Sequence, residues 1–409
     1  MAIICGTDLT PACRGALDVA RALAAQRGDS EVVLVHVAAE DDADMEAARA
    51  KLDAQAAEAG PGVPIRAELV VGPVDATLIS FAETEGSDLI IIHATSTSGT
   101  LGSTAERVII TTRVPVLVLR DPAPWLAFAR GTQPMRLLVG IDESIASELS
   151  IQWTHGLRRR GPVEVVLGAV YYPDDAAEHY GVQAKMLVDR DPEIEKLLGR
   201  DLLRRFGSTD HVVARTRRGL GRIGDHVVEL ANEEKVDAIV VGTSQKTGLG
   251  RLGSVSSVVV HDAPQSAICV PPNAEIPTLV APSLKSALVA TDLSPFANRA
   301  VAYAFVATPE GGEIHLAHVV DHDAAVDEGE ITRQLLALAP NNVTRTVQAY
   351  VVRGDDAAIA IAQTAARLGC DMICIASHGR SGLTRALMGS VADRLLRATR
   401  KPVLVLRPG

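Results

Sequence analysis

Residues 377–390, SHGRSGLTRALMGS, combine groups that can hold a phosphate: glycines at 379, 382 and 389, hydroxyls at Ser377 and Ser390, and the guanidinium groups of Arg380 and Arg385. The stretch follows the apolar run DMICIA (371–376) and leads into VADRLLRATRK (391–401), so it lies between a buried strand and a helix start. Free amides at a helix N-terminus, a hydroxyl and glycines permitting close approach make an anion site. The same residues also read as a turn with a helix cap, because Ser390 and Asp393 have capping-box spacing. A carboxylate that could face the same ligand is Asp292, in ALVATDLSP (287–295).

The elements that would position these groups occur three times. IICGTDLTP (3–11), LLVGIDES (137–144) and ALVATDLSP (287–295) are each an apolar strand running to an aspartate (Asp8, Asp142, Asp292) just before a helix start. Every copy continues with a second apolar strand, a third segment preceding a helix-like run, and a fourth strand: SDLIIIHA, VDAIVVGT and CDMICIAS. Then come a Gly-Ser step with a helix and a Pro-led closing strand: PVLVLR, PQSAICV and PVLVLR. Near-continuous apolar strands alternating with helical patterns predict parallel sheets covered on both faces. The expected fold class is α/β, with three tandem open parallel-sheet, Rossmann-like domains over 1–121, 135–272 and 285–409. Pro-rich linkers are expected at 120–134 and 271–286. Such sheets take ligands outside the carboxyl ends of their strands, which singles out the loops after the first and fourth strands.

Composition narrows the partners. A net charge of −10 over 409 residues, without a dominant basic stripe, argues against nucleic acid. No apolar run approaches the ~18 residues of a membrane span, and the opening MAIICGTDLTP has neither a basic region nor a cleavage site, so a cytoplasmic protein is expected. Five cysteines (Cys5, Cys13, Cys269, Cys370, Cys374) suit reduced, buried thiols better than disulfides or zinc.

The loop between the fourth strand and Gly-Ser shrinks from 13 residues (Ala376–Met388) to 11 (Gly242–Leu252) and 9 (His93–Leu101). Capping alone would need one short turn in all copies. The long third loop therefore favours an anion, with capping as the alternative.

Here the residues resemble the universal stress protein family, whose nucleotide-binding members carry Gly-x2-Gly-x9-Gly-(Ser/Thr) at this loop. The third copy reads Ala376-x2-Gly379-x9-Gly389-Ser390, departing only at Ala376. The second, Gly242-x2-Gln245-x7-Gly253-Ser254, lacks one glycine and two residues; the first has His93 and Ser96 where glycines would stand and lacks four. The resemblance implies an adenine-nucleotide-hydrolase-like fold, with ATP, and Mg alongside it, in the third domain, the second domain partial and the first degenerate. Carried over by position, adenine would meet the backbone at Ala290, Val319 and Ile375, with Asp292 near the ribose or the metal and Thr291, Ala376 and His378 also among the cofactor-binding residues. Gly379, Gly389, Ser390 and Val391 would hold the phosphates, with Arg380 adding charge. No residue is assigned as catalytic; Asp292 and His378 are the only candidates for a general base, so any hydrolysis is expected to be slow. His318 reads as a half-buried strand residue. A non-binding interaction scaffold is the competing class. The family pairs its closing strands across a two-fold, which for an odd number of repeats implies a homodimer through the unpaired one.

Two other features carry less. GLGRIG (219–224) matches a dinucleotide fingerprint but follows the third strand of its repeat, with Arg215, Arg217, Arg218 and Arg222 as a milder anion-contacting alternative. EDDADMEAARAKLDAQAAEA (40–59) reads as a solvated cover helix.

Overall fold

The computed structural model describes residues 2–39, 44–60, 62–94, 103–182, 187–244, 255–275, 284–340, 344–377 and 390–407. It forms two compact units, one of residues 1–170 with 209–280 and the other of 171–208 with 281–409.

The first unit contains the first repeat: β1 (Ile3–Gly6), α1 (Arg14–Arg27), β2 (Val32–Ala38), α2 (Met45–Ala57), β3 (Ile65–Val71), α3 (Val74–Thr84), β4 (Leu89–His93), α4 (Ser103–Thr111) and β5 (Val116–Leu119). The stretch read as a linker is instead partly a packed helix, α5 (Ala123–Ala129). Its aromatic residues Trp125 and Phe128 are three apart, which puts both on one face, and they are 1% and 0% exposed. The second repeat follows with β6 (Met135–Gly140), α6 (Ile145–Arg158), β7 (Val163–Tyr171), then α7 (Pro173–Tyr180) and α8 (Leu187–Phe206), β8 (Val212–Arg218), α9 (Ile223–Glu233), β9 (Ala238–Gly242), α10 (Val255–Asp262) and β10 (Ser266–Val270). Leu52 and Ala48 are the buried residues of α2, as a cover helix requires.

These strands make one sheet in the order β3-β2-β1-β4-β5-β10-β9-β6-β7-β8. Within each repeat the pairing is parallel. The repeats are joined by the antiparallel ladder of β5 with β10: Val118 faces Ala267, Leu117 faces Ile268, and Val116 faces Cys269. Each closing strand thereby gives its open edge to the other, and an apolar core runs without a break from Ile4 and Ile90 through Val116 and Val118 to Ile239 and Val259.

The second unit holds β11 (Ser286–Ala290), α11 (Arg299–Ala307), β12 (Glu313–Val320), α12 (Glu328–Ala337), β13 (Thr346–Arg353), α13 (Ala357–Leu368), β14 (Met372–Ala376), α14 (Ser390–Ala398) and β15 (Val403–Leu406). Its parallel sheet has the order β13-β12-β11-β14-β15, with cores on both faces. Helices α7 and α8, an insertion between β7 and β8, belong to this unit. Arg200 and Arg204 donate to the carbonyls of Arg367 and Gly369, which end α13, and Arg204 also reaches Ser286 Oγ at 3.1 Å. Carbonyls at a helix C-terminus have no intrahelical partner, so these guanidinium groups complete them. Tyr180, Leu197 and Ala366 form a small buried cluster beneath the contact.

Candidate functional site

In the third repeat the strand order reverses beside β11, and the crevice at the carboxyl ends of β11 and β14 is the topological switch point. Ala290 pairs with Ile375 on one side and with Ala317, two residues before Val319, on the other. Ala290 and Ile375 are both 6% exposed and Val319 is half-buried, so small and branched side chains floor the crevice. Thr291 and Ala376 continue the two central strands. The Ser377 amide donates to the Leu406 carbonyl at 2.8 Å, fixing where the chain leaves the sheet.

The turn after β11 is built by its own polar groups. Asp292 Oδ1 accepts from the Ser294 amide at 2.9 Å, Thr291 Oγ1 accepts from the Leu293 amide at 3.0 Å and donates to Asn298 Oδ1 at 2.7 Å, and Ser294 Oγ accepts from the Ala297 amide at 3.2 Å. Ser294 therefore caps a turn over 295–298, and α11 starts only at Arg299, later than a helix at Ser294-Pro295 would begin. Leu293 is held at φ +64°. A branched side chain in the left-handed region costs about 1–2 kcal/mol, and nothing in the sequence signals it. Leu9, at the matching place in the first repeat, also has φ +64°. His318 lies with Nδ1 2.8 Å from the Thr291 carbonyl, as His36 lies 2.9 Å from that of Thr7. Both imidazoles brace the turn from the second strand, which agrees with a strand role for His318.

On the far side of the crevice, α14 begins at Ser390, which is exposed, and Val391 is 37% exposed. The first turn of this helix thus faces solvent with Asp393 in it. His378, Gly379, Arg380 and Gly389 lie outside the described residues. The residues present fit a nucleotide: a floor of small and aliphatic side chains, a carboxylate at one rim and a helix start at the other. Among the described residues no group of three or more ligating side chains surrounds Asp292, so a magnesium ion there would take most of its ligands from phosphate and water.

The other two crevices differ. In the first repeat His93 stands where Ala376 does; its Nδ1 is buried with no hydrogen-bond partner among the described residues, and burial, helped by Arg120 and opposed by Asp8, lowers the basicity of the ring. Asp8 Oδ1 accepts from Thr10 N (2.9 Å), Thr10 Oγ1 (2.6 Å) and Cys13 Sγ (3.0 Å). Burial alone would push its carboxyl up, but these bonds hold it below the usual range. In the second repeat Gly242 occupies the position, and a Cβ there would lie 2.6 Å from Ala146 Cβ, so α6 closes directly onto the strand end. That glycine serves packing.

GLGRIG likewise resolves into structure. A Cβ on Gly224 would meet Val258 Cβ at 2.4 Å, which is close packing of α9 on α10. Arg215 pairs with Glu234 at 2.5 Å, Arg217 with Glu233 at 2.7 Å and Arg222 with Asp225 at 2.8 Å, so these guanidinium groups already have counter-charges. All five cysteines are buried free thiols, with burial raising Cys269, Cys370 and Cys374 to about 12.

A parallel sheet with a switch-point crevice and a polar aspartate turn, repeated along one chain, defines a tandem open α/β protein. A sequence profile of the Universal stress protein family matches residues 1–120, 134–271 and 284–407, and the chain belongs to that family. It is similar to a universal stress protein of Mycobacterium tuberculosis (strain ATCC 25618 / H37Rv), 29% identical over 299 residues that cover 66% of this chain and 96% of the relative. One from Mycobacterium bovis matches to the same extent, at 29% over 299 residues, 66% and 96%. Among solved structures, a universal stress protein from Archaeoglobus fulgidus has a TM-score of 0.47 at 15% identity, covering 66% of this chain and 96% of its own. A universal stress protein solved in complex with cAMP has a TM-score of 0.25 at 22% identity, covering 29% of this chain and 97% of its own.

Proposed function

We propose that the protein is an ATP-binding regulator of a cytoplasmic stress response, with nucleotide held chiefly by the third of three domains (1–121, 135–272 and 285–409). The observation that carries this is the contrast among the three crevices: small residues at Ala290 and Ala376 in the third, an imidazole at His93 in the first, and Ala146 pressed on Gly242 in the second. The 13-residue loop and Gly379-x9-Gly389-Ser390 spacing of the third copy add to it. Ala290, Thr291, Val319, Ile375 and Ala376 would seat the adenosine, and Asp292 the ribose or magnesium; His378, Gly379, Arg380, Gly389, Ser390 and Val391 would hold the phosphates. Bound magnesium would supply charge neutralisation of those phosphates. Asp292 and His378 remain the candidates for a general base, and any hydrolysis would be slow, with binding as the working event. Five buried thiols suit a reducing compartment.

Regulation would pass through assembly. The first two repeats close each other's edges through β5 and β10, whereas β15 ends the five-stranded sheet of the third repeat. Its four residues are half-buried, and a homodimer through β15 would complete them.

The test is to denature the purified full-length protein and measure released adenine nucleotide by absorbance and mass. Nucleotide, or ATP binding to the emptied protein, is expected in the wild type and in Gly102→Val but not in Gly389→Val, whose far-UV CD should be unchanged. ATP affinity at the wild-type level in Gly389→Val would remove the third-domain assignment.

A further inference from the structure

We propose that the cavity among α1, α5 and α6 of the first unit is a binding site for a small aromatic carboxylate, with Arg160 for its anionic group and Trp125 and Trp153 for its ring. This inference is independent of the nucleotide reading.

The cavity has a volume of about 310 Å³, at the small end of ligand pockets. It is lined by the chain's two tryptophans, Trp125 and Trp153, in a protein with only 3% aromatic residues. Trp125 is 1% exposed and forms a rigid wall; Trp153 is half-buried. Planar apolar walls of this kind favour an aromatic guest over an aliphatic one.

The charges are arranged for an anion. Arg27 is already neutralised, with Asp29 at 2.8 Å and Asp88 at 2.5 and 2.6 Å. Arg160, on the exposed side, has no hydrogen bond or ion pair from its guanidinium among the described residues; burial and neighbouring Arg27 disfavour its charge, against the longer-range pull of Asp88 and Asp29. Arg159 lies beside it, and the lining carboxylates are Asp88, which is bonded to Arg27, and Glu275. A carboxylate would give Arg160 the planar, bidentate partner it lacks.

Gly156 supplies an observation of a different kind. It lies inside α6, where glycine is less stable than alanine, yet a Cβ on it would meet only Arg159 Nη2, at 3.8 Å. Neither backbone conformation nor packing requires glycine there. What its missing side chain does is keep the cavity open. By contrast, Gly224 and Gly242 are glycines because a neighbour occupies the space.

Both tryptophans line the site, so intrinsic fluorescence reports on it. Full-length protein would be titrated with benzoate, following tryptophan emission and heat, with benzamide as the neutral isostere. Saturable one-to-one binding of benzoate is expected, with benzamide at least about tenfold weaker. Arg160→Gln should reduce benzoate to the level of benzamide. Gly156→Leu should abolish binding while the melting temperature stays at or above that of the wild type, since leucine is the better helix former. The proposal is overturned if benzoate gives no saturable signal, if benzamide binds as tightly, or if benzoate affinity is unchanged in both variants.

Discussion

Replacing Val405 with proline should weaken the proposed dimer without disturbing the sheet that carries it. The hexapeptide PVLVLR occurs at 115–120 and again at 402–407. In the first setting Val116, Leu117, Val118 and Leu119 are 0–1% exposed beneath β10; in the second all four equivalents remain half-buried. Pro402 O accepts from Ile373 N at 2.9 Å and Leu406 O from Ser377 N at 2.8 Å, so even-numbered residues bond inward to β14. Alternation leaves the amides and carbonyls of Val403 and Val405 pointing off the edge. The β5–β10 ladder shows the available geometry: an antiparallel contact centred on Leu117 and Ile268, which on two copies of β15 becomes a two-fold centred on Leu404. Proline at 405 removes one outward N–H per chain and no inward one. Two lost hydrogen bonds at ~0.5–1.5 kcal/mol each total about 1–3 kcal/mol. The dimer Kd should therefore rise roughly 5- to 150-fold. Sedimentation equilibrium over a micromolar concentration series, with far-UV CD as the control for folding, measures it. Wild-type protein that sediments as one chain throughout, or a variant with unchanged Kd, would refute the edge-strand reasoning.

Two further outcomes follow from the packing. Gly224→Ala should destabilise the first unit by about 1–3 kcal/mol by driving a methyl into Val258, and Val258→Ala should restore much of the loss; an unchanged denaturation midpoint would remove the packing account of GLGRIG. For His93, whose folded value lies below its ordinary 6.5, the neutral ring is the form the fold favours. Stability is then present above pH 6.5 and lost as pH falls from there towards the folded value. His315, 3% exposed and lowered by burial against the opposing pull of Glu313, acts in the same direction in the second unit. His93→Gln should flatten the acid-side decline of the first unit's melting temperature, and an identical decline in that variant would exclude the assignment.

Much of the candidate site was legible because it depends on chain order. An aspartate after an apolar strand, and a fourth strand ending at Ile375 and Ala376, must meet at one sheet end once the sheet is parallel and open. The left-handed backbone at Leu293 was not legible: leucine gives no signal for it, and the turn is imposed by hydrogen bonds from Thr291, Asp292 and Asn298 that form only in the fold. Nor could the sequence tell why Gly242 and Gly224 are glycines, since Ala146 and Val258, which fill those spaces, are distant along the chain. The Arg-rich segment at 215–222 looked available to anions because Glu233 and Glu234, which pair with it, come from the far end of α9.

Three repeats, an open parallel α/β sheet in each and Pro-led closing strands were determined by the sequence alone, because apolar periodicity acts within one element and its immediate neighbours. Which repeats share a sheet was decided only by tertiary structure: the same PVLVLR is closed by β10 in one place and open at the sheet edge in another. Tertiary contacts also made a buried helix of 123–129, where Trp125 and Phe128 outweigh the prolines around them, and gave α7 and α8 to the unit of the third repeat through Arg200 and Arg204. In each case a residue's partner lies far away in sequence, and burial, which chooses among equally good local structures, depends on where that partner sits.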